Sequence, residues 1–288
     1  TMKLPRLAVW YPTDAIGGAS EIAAFLQTVE RLGYGGFWYP ESIGYESMSI
    51  ASFMLAQTRT LQIGSSIASI YARDAIAARR GMLGLNRLYG DRFILGLGVS
   101  HRPAVEGLRG HTYEKPVPAM RAYLAALAKG EKDAATWPVC IAALGPLMLK
   151  LAAETTRGAV TYNVTPRHTA EAAKILGPER ALVVEQKVAL TTDPVRARAI
   201  GRAELARYMV LENYRNAWLR MGFSEADLGN GGSDAFIDAM VLWGDAAKLK
   251  SGLNAHFTAG ATQVAIHPLS EGGEAKARDA VLAALRDL

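Results

Sequence analysis

Short runs of consecutive apolar residues alternate along the chain with longer stretches in which apolar positions recur every three or four residues. Runs such as Phe93-Ile94-Leu95 and Val183-Val184 are apolar at successive positions, so both faces of an extended segment would be buried, as in a parallel sheet covered by helices. Eight strands are predicted on this basis, at 7–10, 36–39, 61–68, 93–98, 139–142, 158–162, 182–190 and 263–267. The helical spacing predicts helices at 20–32, 47–57, 74–89, 116–129, 145–155, 166–176, 193–220, 234–259 and 274–285. In the first helix Ser20 stands as the N-cap, Ile22, Leu26 and Val29 share one buried face, and Gly33 ends it.

Each strand is thus followed by a helix, and eight β/α units in a chain of 288 residues match an α/β fold of the (β/α)8 TIM-barrel type. No Pro/Gly/Ser linker or change of composition divides the chain, so 1–288 is expected to be a single domain. One stretch is too long for a simple connection: residues 190–262 are expected to form a helical insertion between strands seven and eight. Inside it, Gly229-Asn230-Gly231-Gly232-Ser233 reads as an exposed turn at one rim.

Composition narrows the functional classes. Half the residues are hydrophobic and 20% are charged, which excludes a disordered chain. The formal net charge of +5 is too dilute for a nucleic-acid arm, and the basic stretches Arg79-Arg80 and Arg196, Arg198, Arg202 and Arg207 read as solvated helix faces. A single cysteine, Cys140, lies in an apolar run, so no disulfide framework is expected and its role is packing. No apolar run approaches the ~18 residues that would cross a bilayer, and no secretory leader is visible, so a cytoplasmic protein is expected. Thr1 ahead of Met2 reads as an expression remnant. Five Trp, eleven Tyr and seven Phe exceed what a barrel interior holds, which points to a homodimer through the outer helices.

A barrel builds its site at the C-terminal ends of the strands. There the run Gly96-Leu97-Gly98-Val99-Ser100-His101 lacks a dinucleotide fingerprint, because its sixth position is His and no helix is predicted directly behind it. Its glycine pair implies close backbone approach to a neighbour or a flat ligand. Gly145-Pro146 opens a helix whose free N–H groups suit a phosphate, or else makes an ordinary strand-to-helix turn. The five histidines, at 101, 111, 168, 256 and 267, show no metal-ligand spacing, so no metal site is expected. His101 and His267 fall at strand ends, where an imidazole can move a proton or be structural. Glu41, after Tyr39-Pro40, is either a general acid/base or a rim carboxylate paired with an arginine. No G-x-S-x-G elbow, Walker loop or paired nucleophilic cysteine is present, which leaves nucleophilic and nucleotide hydrolysis without support.

Four segments in order, Gly36-Phe37-Trp38-Tyr39-Pro40-Glu41, Gly64 to Asp74, Phe93 to His101 and Ala142-Ala143-Leu144-Gly145-Pro146, resemble the luciferase-like oxidoreductases, in the branch that uses the deazaflavin coenzyme F420. Thr161-Tyr162-Asn163-Val164-Thr165-Pro166, Glu212-Asn213-Tyr214 and Gly260-Ala261 extend the likeness over nearly the whole chain. The resemblance implies a planar ring in the barrel mouth and a third strand ending in a bulge with a non-prolyl cis peptide, which maps to Ser66-Ile67. It implies cofactor contacts from Ser66, Ile67, Ala68, Gly98, Ser100, His101, Ala142, Ala143, Leu144, Gly145, Tyr162 and Asn163. It also implies hydride transfer to or from a small organic substrate, with His101 or Glu41 managing the proton. An FMN-dependent monooxygenase and a catalytically silent flavin or deazaflavin binder are the alternatives. Sugar-phosphate dehydrogenases of this family carry Asp-His after the second strand and Glu after the fourth, whereas this chain has Glu41-Ser42 and His101 there.

Overall fold

The computed structural model describes residues 2–288, so the reading of Thr1 lies outside the described residues. Ten strands form, in chain order β1 Leu7–Trp10, β2 Gly36–Tyr39, β3 Gln62–Ser65, β4 Ala68–Ser69, β5 Phe93–Gly98, β6 Val139–Ala142, β7 Gly158–Thr161, β8 Ala181–Leu190, β9 Val241–Gly244 and β10 Gln263–Leu269. Eight of them are parallel staves, and the sheet closes because β10 pairs with β1 on one side and β8 on the other, placing Val264 opposite both Leu7 and Val184. This is the (β/α)8 barrel that the alternation predicts. The helices are α1 Ala19–Arg31, α2 Ser47–Ala56, α3 Ala75–Tyr89, α4 Pro116–Ala128, α5 Pro146–Thr155, α6 Pro166–Leu176, α7 Pro194–Met209, α8 Glu212–Arg220, α9 Asp234–Met240, α10 Ala246–Thr258 and α11 Ala275–Leu285.

Alternation along each stave separates two cores. Ala8, Trp10, Trp38, Ile94, Cys140, Val160, Val183 and Ala265 fill the barrel interior, while a larger apolar layer lies between the sheet and the surrounding helices. Trp38 spans the interior and donates its indole N–H to Gln263 Oε1 at 2.6 Å. Gly64 makes room for that ring, since a β-carbon there would lie 2.4 Å from it. Burial pushes the Cys140 thiol up to about 12, in keeping with packing rather than reactivity.

Several elements differ from the sequence-based expectations. The third strand ends, as the resemblance implies, in a bulge with a cis Ser66–Ile67 peptide; what differs is that the strand resumes beyond it as β4, which pairs with β5. A π-helical turn, Pro103–Leu108, follows His101 where no helix was expected. Gly18, not Ser20, caps α1, and the Ser20 hydroxyl bonds Glu21 instead. The helix expected at 193–220 is two, α7 and α8, joined through Leu211 in an extended conformation, which brings Tyr208 and Tyr214 to 5.1 Å from each other. The helix expected at 234–259 is interrupted by β9. The physical reason is that β8 overruns β7 by several residues, and Lys187–Leu190 take Val241–Gly244 as their partner strand.

The excursion has its own apolar core, with Leu205, Trp218, Phe236 and Ile237 fully buried. The arginines of α7 are not simply solvated: Arg198 bonds Asp234 and Asp238, and Arg202 bonds Asp234, tying α7 to α9. Aromatic residues crowd these interiors rather than the surface, and Trp10, Trp38, Trp137 and Trp218 are all buried, so their number does not argue for a subunit interface. No helix among the described residues is long and apolar enough to cross a membrane, and no group of His, Cys, Asp or Glu among them could hold a metal ion.

Candidate active site

The site grows from the place where the third stave breaks. Ser66 N donates to Tyr39 O at 2.6 Å, Glu41 N donates to Ile67 O at 3.2 Å, and Ile70 N donates to Gly98 O at 3.0 Å, so the bulge is laced to both neighbouring staves. The glycine pair of β5 is what lets it approach. A β-carbon at Gly96 would lie 1.9 Å from Ser65 O, and one at Gly98 would lie 2.3 Å from Ile67 Cγ1. Trp10, at the end of β1, donates its indole N–H to Ser66 Oγ at 3.0 Å.

Glu41 serves this bulge. Its carboxylate accepts from Ser69 N at 2.8 Å and Ser47 N at 3.2 Å and forms an ion pair with Arg73, and only 3% of its side chain is exposed. Both oxygens are thus engaged, which matches the second of its two sequence-based readings, a rim carboxylate paired with an arginine.

On the far side of the mouth, Ala142, Ala143, Leu144 and Gly145 lead into α5. Pro146 occupies its first turn, and Gly145, the N-cap, has no side chain to take the N–H groups behind it. The Arg220 guanidinium lies alongside, 3.4 Å from where a Gly145 β-carbon would be. His168, from α6, holds this loop in place through Nε2, 2.8 Å from Leu144 O. Ser100 and Asn163 end β5 and β7 in the left-handed region, at φ 57° and 56°.

His101 follows Ser100 and packs its ring 5.7 Å from Tyr214. Burial holds its pKa below the ordinary histidine range, partly offset by a hydrogen bond with the Asn213 side chain. Tyr162 completes the aromatic wall, 5.0 Å from Trp10, with its hydroxyl 2.7 Å from that of Tyr208. Burial raises the Tyr162 phenol well above its usual range, so it is a neutral hydrogen-bonding group.

Beneath this wall lies a polar cluster of which the sequence offered His267 and Asn163 but not Glu185 and Lys187. Lys187 donates to Glu185 Oε1 at 2.9 Å and Asn163 Oδ1 at 2.7 Å and sits 3.8 Å above the Tyr162 ring centroid. Glu185 also meets His267 Nδ1 at 2.9 Å, and Trp10 packs 4.6 Å from the His267 ring. Burial works to raise the Glu185 carboxyl, but Lys187 and His267 outweigh it and hold the group below the ordinary carboxylate range. A signal was available: opposite charges two residues apart on an otherwise apolar strand share one face, so Glu185 and Lys187 had to enter the barrel together. Asn163 Nδ2 is buried and lacks a partner, which leaves one donor free at the mouth.

These residues fit a planar, anionic-tailed group. The bulge, with Ile67 packed on Gly98, offers an apolar wall for a ring, and the open first turn of α5 beside Arg220 suits a phosphate. Ser66, Ile67, Gly98, Ser100, His101, Ala142 to Gly145, Tyr162 and Asn163 lie at or just beyond the C-terminal ends of β3, β5, β6 and β7, whereas Ala68 is fully buried in β4.

The sequence profile of the family described as Luciferase-like monooxygenase matches residues 3–263. The 5,10-methylenetetrahydromethanopterin reductase of Methanolobus tindarius is 23% identical over 299 residues, covering 88% of this chain and 90% of its own length. Among solved structures, an F420-dependent secondary alcohol dehydrogenase in complex with an F420–acetone adduct superposes with a TM-score of 0.72 at 13% identity, over 96% of this chain and 97% of that one. The FMN-bound oxygenating constituent of 3,6-diketocamphane monooxygenase from Pseudomonas putida gives a TM-score of 0.70 at 11% identity, over 97% and 96% of the two chains.

Proposed function

The chain belongs to the luciferase-like monooxygenase family, and from that premise we propose that it is an oxidoreductase that uses the deazaflavin coenzyme F420 on a small organic substrate. The observation that carries this reading is the pairing of an apolar bulge, Ile67 seated on Gly98, with an α5 N-terminus that no side chain caps, beside Arg220. When bound, a deazaflavin supplies or accepts a hydride at its ring. The protein's part is to orient, exclude water and handle the proton. In this reading Ser66, Ile67 and Gly98 back the ring, Ser100 and His101 border it, and Ala142 to Gly145 with Tyr162 and Asn163 hold the side chain and phosphate. Ala68 supports the bulge from behind.

FMN is the second reading, favoured by the likeness to the FMN-bound monooxygenase component. Parallel titration of the purified protein with F420 and FMN, followed by cofactor fluorescence, separates the two. Tight binding of F420 with reduction or oxidation of a carbonyl, enone or alcohol panel is the expected result. Preferential FMN binding with oxygen-dependent turnover would overturn it, and binding without turnover would mark a silent binder. The exposed apolar residues Ile76, Leu83 and Leu88 on α3 support a homodimer, which light scattering at micromolar concentration tests directly. A buried, unpaired Cys140 accords with a cytoplasmic protein.

A further inference from the structure

The mouth contains three groups able to carry a proton, and their surroundings distinguish them. Glu41 is consumed by Arg73 and two backbone N–H groups. His101 has Asn213 and the Tyr214 ring beside it but no carboxylate partner. His267 stands on the inward face of β10, with Nδ1 2.9 Å from Glu185 Oε1.

Glu185 is held as an acceptor by Lys187 Nζ at 2.9 Å and by Asn163 N at 3.4 Å. An ionised carboxylate can only accept, so the His267 proton resides on Nδ1 and the lone pair of the neutral ring lies on Nε2. No protein group bonds Nε2 among the described residues, and 4% of the His267 side chain is exposed. The ring packs on Trp10, whose indole in turn bonds Ser66 of the bulge, so His267 is one indole away from the wall assigned to the ring.

We propose that His267 is the proton-transferring residue of this site and that Glu185 is its positioning residue, an inference that rests on the oxidoreductase reading above. An imidazole base beside a hydride carrier suits an alcohol or its carbonyl counterpart, because their interconversion moves one proton at oxygen and one hydride at carbon. In oxidation, Nε2 takes the hydroxyl proton as the C–H bond on the same carbon breaks, its hydride passing to an oxidised deazaflavin while the C–O bond becomes C=O. Reduction reverses this: the carbonyl carbon takes a hydride from a reduced deazaflavin and the oxygen takes the Nε2 proton.

The charges around the ring suit a base that is neutral at rest. Glu185 on β8 and Glu204 on α7 favour the imidazolium, Lys187 on β8 opposes it, and Tyr11 packs edge-on against it as a neutral group. Burial is the largest influence and leaves the His267 pKa below its ordinary value.

Two measurements test the proposal. Imidazole 15N NMR of the protein without cofactor, assigned against His267→Gln, should show His267 with protonated Nδ1 and bare Nε2. An Nε2–H tautomer would overturn the proposal. With cofactor bound and an alcohol as substrate, His267→Gln should lose about 10²–10⁴-fold in kcat and the acidic limb of the kcat/KM profile, while cofactor Kd stays within several-fold. If that variant does not fold, His267→Asn and Glu185→Gln carry the same comparison, Glu185→Gln moving the acidic limb rather than abolishing it. Turnover and an acidic limb that survive in a folded His267 variant overturn this proposal alone. A wild-type protein that binds deazaflavin and turns over no alcohol or carbonyl overturns the functional reading, and this inference with it.

Discussion

At Gly96 and Gly98 the absence of a side chain sets the shape of the mouth, and the two positions differ in what an added methyl would strike. At Gly96 the obstacle is the Ser65 carbonyl, which is backbone, whereas at Gly98 it is the Ile67 side chain. Overpacking typically costs about 1–3 kcal/mol. Gly96→Ala is therefore expected at or beyond the upper end of that range in urea denaturation, because a stave must shift. Gly98→Ala should cost less stability yet weaken cofactor binding by displacing Ile67. The glycine pair was legible in the sequence as a mark of close approach, but not what approaches, since the answer lies 31 residues away at Ser65 and Ile67. Glu41 was legible only as a pair of alternatives, because its arginine partner is chosen by the fold. Arg73→Ala would leave that carboxylate buried and uncompensated, and breaking such a pair costs about 3–5 kcal/mol. Denaturation should register this loss, and F420 titration should register a looser bulge.

Among the elements, the staves were the most legible because a strand buried on both faces needs a continuous apolar run, and chance rarely supplies eight of these at β/α spacing. The excursion was the least legible. Val241-Leu242-Trp243 sits within an amphipathic pattern that reads as helix, and only the overrun of β8 beyond β7 gives it a strand to pair with. Docking of this module onto the mouth depends on Trp218, which is fully buried and donates its indole N–H to Asn163 O at 3.1 Å. Trp218→Ala is expected to cost roughly 3–5 kcal/mol through cavity formation. Hydrogen exchange should accelerate in α7 to α9 before it does in the barrel staves. Equal acceleration throughout would show that excursion and barrel unfold as one cooperative unit. Because Asn163 also accepts from Lys187, the same substitution should disturb the Glu185–His267 pair, which the NMR tautomer signal of His267 would report.

For the molecule as a whole, the buried histidines set its response to acid. His101, His168, His256 and His267 all have pKa values held below the ordinary range, burial being the leading cause in each. His256 is pushed down to about 4, with Nδ1 2.8 Å from Thr169 Oγ1 and Nε2 2.8 Å from Gln186 Oε1. A histidine that protonates more readily when unfolded makes the unfolded chain bind more protons. The stability it contributes is complete above the unfolded pKa near ~6.5 and is lost as pH falls toward the folded value. For His256 alone that loss is on the order of 3 kcal/mol across the window. Glu185 acts in a lower window: its carboxyl is depressed, so its contribution persists above the ordinary carboxylate range and disappears as pH falls through the folded value. Urea midpoints should therefore begin to decline just below neutrality, ahead of any carboxylate titration. His256→Gln should flatten the slope between pH 6.5 and about 4 while leaving the steeper loss below it, since Glu185 keeps its own partners Lys187, His267 and Asn163. A wild-type midpoint that stays level from pH 7 to pH 5 would mean that these rings are protonated in the folded protein, against the burial that surrounds them.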